Sequence, residues 1–307
     1  MFIKKLDPEL ESQLLSLSVL ASLLFTVSGI VVGLLTGSSV VLFDGLYSGI
    51  SLLLSYLSLI AAKNVNADDS VSFPYGKSAI EPFLVGVKYL TLIVLCVYSA
   101  FAAAFDIAAG GSDVNIDVAL IYSLISSVVC AGVYVYFKKA SANLESDLVR
   151  SESYEWFLDT ILSTGIFIGF VGALVLMRAS MEEWVPYIDP TLVLVASLAF
   201  IATPLKGLIQ SAKELIGFQP KGKLVKQLNR IVEEVESENN FDSSVVRIQK
   251  VGRTVFLEID FIVRHDDFSV TVLRQDAIRE KIHSQIIKLG YRWWLTVAFT
   301  KDEKWVA

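Results

Sequence analysis

Three carboxylate side chains lie within long apolar stretches of this 307-residue chain: Asp44, Glu155 and Asp159. A charged group at membrane depth costs at least about 2.5 kcal/mol on insertion scales, so such residues are functional candidates. Glu155 and Asp159 are four residues apart, a spacing that puts both on one face of a helix. Lys88 could pair with Asp44, but Glu155 and Asp159 would then have no obvious basic partner in the apolar stretches.

Carboxylates that lack matching cations need either protons or a bound metal ion, because an unpaired buried charge is costly. A divalent cation would offset two of the three negative charges. When the cation leaves, burial and repulsion between the carboxylates would favour their protonation. The residue types therefore predict a site that exchanges a divalent metal cation for protons.

The composition and the length of the apolar runs indicate an integral membrane protein. The chain is 54% hydrophobic and 19% charged, whereas soluble domains average about 45–50% apolar residues. A spanning helix needs about 20 apolar residues, and six runs meet this length. The sequence predicts an all-α six-helix transmembrane bundle with spans at 14–35, 40–62, 81–105, 118–137, 153–177 and 190–209, the last with a kink at Pro204.

Basic residues in the short loops predict the orientation, because cytoplasmic loops are rich in Lys and Arg. The opposite loops offer only Arg178. The distribution predicts a multi-pass protein of the cell inner (cytoplasmic) membrane with both termini in the cytoplasm. The residues on the cytoplasmic side are Lys4, Lys5, Lys63, Lys77, Lys138, Lys139, Arg150, Lys206 and Lys213.

The last third of the chain has the periodicity of a soluble domain. Apolar residues from Leu224 to Val235 recur at helical spacing, and those from Val255 to Val263 alternate as in a half-buried strand. We expect a transmembrane domain at 1–213 and a small cytoplasmic α+β (αββαβ) domain at 214–307. Its remaining elements are predicted as strands at 245–251 and 291–299 and a helix at 270–289, with Ser269 as N-cap and Gly290 at its end.

Several functions are disfavoured by the sequence. A formal net charge of -6 argues against a nucleic-acid partner. Cys96 and Cys130 lie inside apolar runs without the spacing of a disulfide framework or a metal site, and buried free thiols are the simplest interpretation. The chain has no nucleophile–base pair, phosphate loop or zinc-hydrolase spacing, so we expect no enzyme and no organic cofactor.

At these residues the chain resembles the cation diffusion facilitator family over nearly its whole length. The segment LFDGLYSGISLL carries Asp44 and Ser48, and SESYEWFLDTILS carries Glu155 and Asp159. FPYGKSAIEP, at 73–82, looks like the segment that leads into the family's third helix. The resemblance implies a homodimeric secondary transporter that exports divalent metals by antiport against protons, with these four residues as metal ligands.

Two departures from the family pattern bear on the metal. Ser48 stands where a second carboxylate is usual, and Glu155 where His or Asp is common. Ser48 offers only a neutral oxygen. An all-oxygen ligand set favours Mn²⁺ or Fe²⁺, whereas Zn²⁺ is the commoner substrate in the family, so Zn²⁺ and Co²⁺ stay open.

The sequence gives less support for the other sites that the resemblance implies. The loop after the second span has Asp68 and Asp69 but no histidines, so we expect no zinc site there. In the soluble domain, the segment 265–267 and His283 have no convincing metal pattern. Lys77 and Glu214 are candidates for a charge pair at the dimer interface, although Lys77 could equally be a cytoplasmic membrane anchor.

Two other hypotheses stay open. One is a degenerate, non-transporting family member that senses metal or binds a partner, which Ser48 favours and the retained carboxylates disfavour. The other is a transporter of an organic cation, which would need an aromatic cage near the carboxylates. Only Tyr47, Tyr154 and Trp156 lie close to them in the sequence.

Overall fold

The computed structural model of the chain describes residues 8–64, 73, 76–144, 147–264 and 271–306. Five of its helical segments are long and apolar enough to cross a membrane, and they coincide with five of the predicted spans. These segments are Ser16–Thr36, Ile80–Ala109, Ile116–Ala140, Glu152–Arg178 and Glu182–Leu215. The predicted span at 40–62 lies on a further helix, Ser39–Asn64, of which Ser39–Leu53 is the apolar stretch described in full, so the count of six stays a prediction.

The helices follow one another with short connections. They are α1 (Pro8–Thr36), α2 (Ser39–Asn64), α3 (Ile80–Ala109), α4 (Ile116–Leu144), α5 (Asp147–Arg178), α6 (Ile188–Phe200) and α7 (Ala202–Leu215), with a 3-10 helix at Glu182–Tyr187 before α6. The sixth predicted span is thus divided at Ile201. Pro204 explains the break, because it has no N–H to donate to the carbonyl of Phe200.

The chain divides into two compact units, of which the first comprises 1–57 and 87–206 where described. Within it, α4 and α5 make the most extensive helix contact, and α1 packs against both. One buried cluster contains Val40, Phe43 and Phe170, and a second surrounds Trp156 and Phe137. These clusters hold the helices that carry the candidate ligands.

Glycines bring the backbones of α1 and α2 together. A Cβ at Gly45 would lie 2.8 Å from the nitrogen of Ile30, and one at Gly33 would lie 2.7 Å from the nitrogen of Leu42. A Cβ added at Gly29 would lie 3.0 Å from the Cα of Gly45. Small residues four apart allow such close packing in membranes. The contact fixes the turn of α2 that begins at the neighbouring residue, Asp44.

The start of α2 is held by a carboxylate from α6. Asp189 is buried and accepts hydrogen bonds from Ser38 Oγ at 2.6 Å and from the Ser39 and Val40 nitrogens at 2.9 and 3.3 Å. The first N–H groups of a helix have no partner within the helix, and a carboxylate is a strong acceptor for them. Asp189 therefore caps α2 from a position about 150 residues further along the chain.

The second unit comprises 58–86 and 207–307 where described. Its C-terminal part contains α8 (Lys223–Asn239), β1 (Ser243–Val251), β2 (Thr254–Ile262), α9 (Val272–Ile286) and β3 (Arg292–Thr300). The sheet has the order β1-β2-β3, with β1 antiparallel and β3 parallel to β2. This confirms the predicted order of helix, strand, strand, helix and strand.

One face of this sheet forms the core with the two helices. Leu228 of α8 and Ile282 of α9 are fully buried against Leu257, Ile259 and Phe261 of β2. The alternation that predicted β2 is therefore the alternation between the helix-covered face and the other face of the sheet.

The ends of α9 partly match the prediction. The N-cap is Thr271, whose hydroxyl accepts from the nitrogen of Arg274, and not Ser269, which lies outside the described residues. Both are hydroxyl residues near the helix start, and the sequence does not distinguish them. Gly290 has φ of 76° and ends the short 3-10 turn Ile287–Leu289, as expected for a glycine at a helix end.

Candidate metal centre

Asp44 is the most enclosed of the predicted ligands. It lies in the second turn of α2 and is 3% exposed. Ser163 Oγ donates to its Oδ2 over 3.4 Å, a long hydrogen bond. Its Oδ1 has no hydrogen-bond partner among the residues that the structure describes. A buried carboxylate oxygen without a partner is costly and calls for a proton or a cation.

Ser48 follows Asp44 by one helical turn and faces the same way. It is 9% exposed, and its hydroxyl also lacks a hydrogen-bond partner within the described part of the chain. A serine in a helix usually satisfies its hydroxyl on the carbonyl of the preceding turn. Asp44 and Ser48 therefore present two unsatisfied oxygens from one face of α2.

The predicted ligands on α5 are less enclosed. The Asp159 side chain is partly buried and lies within the electrostatic field of Asp44, Glu155 and Glu152. Glu155 is exposed. Over the described ranges, no three His, Cys, Asp or Glu side chains are close enough together to hold a metal ion. The structure thus brings Asp44 and Ser48 together, sets Asp159 near Asp44, and leaves Glu155 at the surface.

Lys88 of α3 lies in the electrostatic field of acidic residues of α5. Lys88 is partly buried, and the negative charges of Glu155 and Glu152 both act on its ammonium group. The sequence analysis allowed a pair between Lys88 and Asp44, and that pair stays a prediction. The positive charge compensates part of the acidic character of that helix.

A polar contact fixes α5 against α1. Trp156 is 2% exposed, and its indole Nε1 donates to Ser18 Oγ at 2.9 Å. The Ser18 hydroxyl in turn donates to Glu152 Oε2. Because Trp156 precedes Asp159 by three residues, this contact fixes the rotation of the helix face that carries Asp159. Trp156 is thereby engaged with Ser18, which disfavours a role in an aromatic cage for an organic cation.

Helix α4 contributes residues that the sequence analysis did not single out as ligands. Tyr122 Oη lies 3.3 Å from Ser28 Oγ and lies in the field of Asp44. Cys130 is fully buried and lies in the field of Asp159 and Asp44. Tyr122, Ser126 and Cys130 recur every four residues, and this spacing was the available signal in the sequence.

Lys77 and Glu214, the predicted charge pair, both lie in the second unit, and each has its own contacts there. The Lys77 ammonium lies 5.2 Å from the ring centroid of Phe73. Glu214 accepts from the backbone nitrogen of Gly252 and from Gln210 Nε2, each at 3.1 Å. Their role at a dimer interface stays a prediction. His283 lies on α9, while residues 65–72 and 265–270 lie outside the described residues.

Membrane-length apolar helices with unsatisfied carboxylate and hydroxyl oxygens between them define a class of protein, the integral membrane transporters. Residues 15–216 match the family described as the cation efflux transmembrane domain. The match covers more than half of the chain, and the protein belongs to this family of cation transporters, the cation diffusion facilitators. Members of this family are transporters and not enzymes.

Two relatives match most of the chain at low identity. An uncharacterized transporter of Bacillus subtilis (strain 168), YdbO, is 22% identical over 271 residues, which are 88% of this chain and 88% of that protein. Metal tolerance protein C1 of Arabidopsis thaliana is 22% identical over 287 residues, with 88% of this chain covered. The match spans 58% of the length of the plant protein.

Proposed function

We propose that the protein exports a divalent metal cation from the cytoplasm in exchange for protons, with Asp44, Ser48, Glu155 and Asp159 as the metal ligands. The observation that carries this proposal is the pair of unsatisfied oxygens, Asp44 Oδ1 and Ser48 Oγ, among the described residues of an apolar helix. A cation bound there would satisfy both oxygens and offset the negative charges of Asp44 and Asp159.

Proton coupling follows from the same charges. Asp159 lies in the field of two further carboxylates besides Asp44, so the empty site would hold several negative charges in an apolar surrounding. Protons would replace the cation on its departure, because buried like charges are costly without a counter-charge. Metal release and proton uptake would then be two halves of one cycle.

The ligand types bear on the substrate. Three carboxylates and one hydroxyl are hard oxygen donors, which suit Mn²⁺ and Fe²⁺, while Zn²⁺ and Co²⁺ commonly recruit nitrogen or sulfur. Mn²⁺ or Fe²⁺ is therefore the favoured substrate of these four ligands, with Zn²⁺ and Co²⁺ as alternatives. The name of the plant relative supports metal as the class of substrate.

The topology of the proposal has six spans, including 40–62, with both termini in the cytoplasm and the domain at 214–307 on the same side. The distribution of Lys and Arg supports this orientation in the inner membrane. The transporter would act as a homodimer, with Lys77 and Glu214 near the subunit interface. This assembly rests on family membership.

Transport by the purified protein in proteoliposomes tests the proposal. Uptake of Mn²⁺, Fe²⁺, Co²⁺ and Zn²⁺ would be compared for the wild type, Ser48→Asp and Ser48→Ala. We expect wild-type uptake of at least one metal, tighter apparent binding in Ser48→Asp because a charge is added, and weaker binding in Ser48→Ala. Absence of uptake for the whole panel by a well-folded wild type would overturn the proposal.

A second candidate function has its own support. Glu155 is exposed, and no three-ligand group is assembled in the described part of the chain. These observations, with Ser48, favour a non-transporting member that senses metal or binds a partner. Growth of cells in excess Mn²⁺, Fe²⁺, Co²⁺ or Zn²⁺ with and without the protein would distinguish the two, because only a transporter confers resistance through Asp44 and Asp159.

A further inference from the structure

A basic cavity lies at the end of α7, within the second unit. It has a volume of about 410 Å³, and its lining includes residues of the last turns of α7, of the connection to α8 and of β1. Lys213 comes from α7, Lys221 from the connection and Lys250 from β1. Glu214 is the acidic residue of the lining, and its carboxylate accepts from the Gly252 nitrogen. The net charge of the lining is therefore positive.

Local contacts hold the walls of this cavity. Gly217 has φ of 80° just after α7, and the next nitrogen, of Phe218, donates to the Lys213 carbonyl at 2.9 Å. A glycine in this conformation commonly ends a helix, and it turns the chain away from the helix axis. A Cβ at Gly217 would lie 3.3 Å from Gln249 Nε2, so the turn packs closely against β1. The segments that carry the three lysines are therefore held together by the fold.

The positive charges of the cavity call for an anion. Within the described ranges, no ion pair involves Lys213, Lys221 or Lys250. Like charges around one cavity repel each other, and an anion between them would offset that repulsion. The phenol of Tyr291, which also lines the cavity, can donate a hydrogen bond to such an anion. A phosphate group fits these features, because lysine ammonium groups commonly bind phosphate.

The position of the cavity favours a lipid phosphate over a free one. The membrane-length segment Glu182–Leu215 ends at its rim, which places the cavity at the level of the membrane surface. Beyond this segment, Ile216 is 71% exposed, and Phe218, which lines the cavity, is 57% exposed. Exposed apolar residues beside lysines match an amphiphile with acyl chains and a charged headgroup. A soluble anion would gain nothing from Ile216 and Phe218.

We propose that this cavity binds the phosphate headgroup of an anionic phospholipid, with Lys213, Lys221 and Lys250 as its charge partners. The bound lipid would join the end of α7 to β1, because Lys213 and Lys250 lie on these two segments. The inference is independent of metal transport, since it concerns the membrane surface at the end of an apolar segment and none of the candidate metal ligands.

Binding of short-chain lipids to the purified full chain tests the proposal. Dioctanoyl phosphatidylglycerol, which is anionic, and dioctanoyl phosphatidylcholine, which is zwitterionic, are titrated into the detergent-solubilised protein, and bound lipid is measured by native mass spectrometry. The test variant combines Lys213→Gln with Lys250→Gln. The control combines Arg230→Gln with Lys288→Gln, at exposed residues of the same unit outside the cavity lining.

We expect the wild type and the control to bind phosphatidylglycerol in preference to phosphatidylcholine. The apparent Kd for phosphatidylglycerol should rise at least about tenfold in the test variant, because each lysine near the membrane surface adds to the attraction of anionic lipid. Lys250→Arg keeps the positive charge and should bind as the wild type does. If the double variant does not fold, Lys221→Gln in the exposed connection serves in its place.

An unchanged Kd in the test variant, or an equal loss of binding in the control, would overturn the assignment to this cavity. Equal binding of both lipids by the wild type would overturn the recognition of an anionic headgroup. Inorganic phosphate is the competitor that distinguishes the two sources of phosphate. Displacement of phosphatidylglycerol by inorganic phosphate at the same concentration would contradict the lipid assignment in favour of a soluble anion. These measurements need no transport, so their failure leaves the proposed metal exchange untouched.

Discussion

Ser163 of α5 donates a hydrogen bond of 3.4 Å to Oδ2 of Asp44 on α2. This contact joins the two helices that carry the candidate ligands. Ser163 is 1% exposed and lies one turn after Asp159, so the bond directs the acidic face of α5 towards Asp44. Small serines in membrane helices commonly serve only close packing. In this protein the hydroxyl has a defined partner at the site.

Replacement of Ser163 by Ala should weaken metal binding moderately. The variant removes the contact that directs α5 towards Asp44, so the ligands of the two helices are less well positioned for the metal. Hydrogen bonds to charged groups contribute about 1.5–3 kcal/mol, and this long one should be at or below the lower end. We expect the concentration for half-maximal metal transport to change several-fold. Ser153→Ala, at a buried serine of the same helix, is the control and should leave it unaltered.

The glycine contact between α1 and α2 should be intolerant of added volume. Gly45→Ala places a methyl group 2.8 Å from the backbone nitrogen of Ile30, so the helices must separate. Overpacking of this kind costs about 1–3 kcal/mol. We expect a lower thermal unfolding midpoint in detergent and reduced transport, since Asp44 moves with the helix.

Gly132 provides the matched control for that substitution. It lies on α4, and beyond its own helical turn no atom of the described residues comes within 4 Å of an added Cβ. Gly132→Ala should be neutral or slightly stabilising, because Ala is the better helix former by about 1 kcal/mol. Equal losses in both variants would contradict the close approach of α1 and α2.

Loss of the carboxylate that caps α2 should destabilise the transmembrane unit. Asp189→Ala leaves the buried N–H groups of Ser39 and Val40 without this acceptor. An unsatisfied buried group costs about 1–3 kcal/mol. We expect a clear fall in the thermal unfolding midpoint, and a smaller one for Asp189→Asn, which keeps one acceptor oxygen. The exposed Asp113→Ala is the comparison and should have the stability of the wild type.

The core of the C-terminal domain should be destabilised when a buried side chain of α9 is shortened. Ile282 of α9 is fully buried, whereas Leu273 of the same helix is 83% exposed. Ile282→Ala should cost about 2–5 kcal/mol through lost burial and a cavity. Leu273→Ala should cost little. Tryptophan fluorescence of the full chain, with Trp293 and Trp294 on β3, would follow the transition; similar midpoints for the two variants would argue against the described core.

Features that repeat along a single helix or strand could be predicted from the sequence. The apolar runs gave the five membrane-length helices, and the alternation from Val255 gave β2 with its buried face. Asp44, Glu155 and Asp159 were identified because a charge in an apolar run is conspicuous. A kink of the last span was predicted at Pro204, and the helix is interrupted at Ile201, since proline removes a hydrogen bond to the preceding turn.

Features that depend on distant parts of the chain could not be predicted. The bond between Asp189 and the start of α2 joins residues about 150 apart, and only the packing of α6 shows it. The same holds for the close approach of Gly45 to α1. The hydrogen bond between Ser163 and Asp44 likewise depends on how α2 and α5 pack in three dimensions.

The most direct test of the central claim is metal flux and proton flux measured together in proteoliposomes with wild type and Asp159→Ala. The proposed exchange predicts that wild-type metal uptake moves protons in the opposite direction and responds to an imposed pH gradient. Asp159→Ala, eluting as a folded protein, should reduce both fluxes to the background of empty vesicles. Metal transport by Asp159→Ala at the wild-type rate, or wild-type metal flux without proton movement, would contradict the claim.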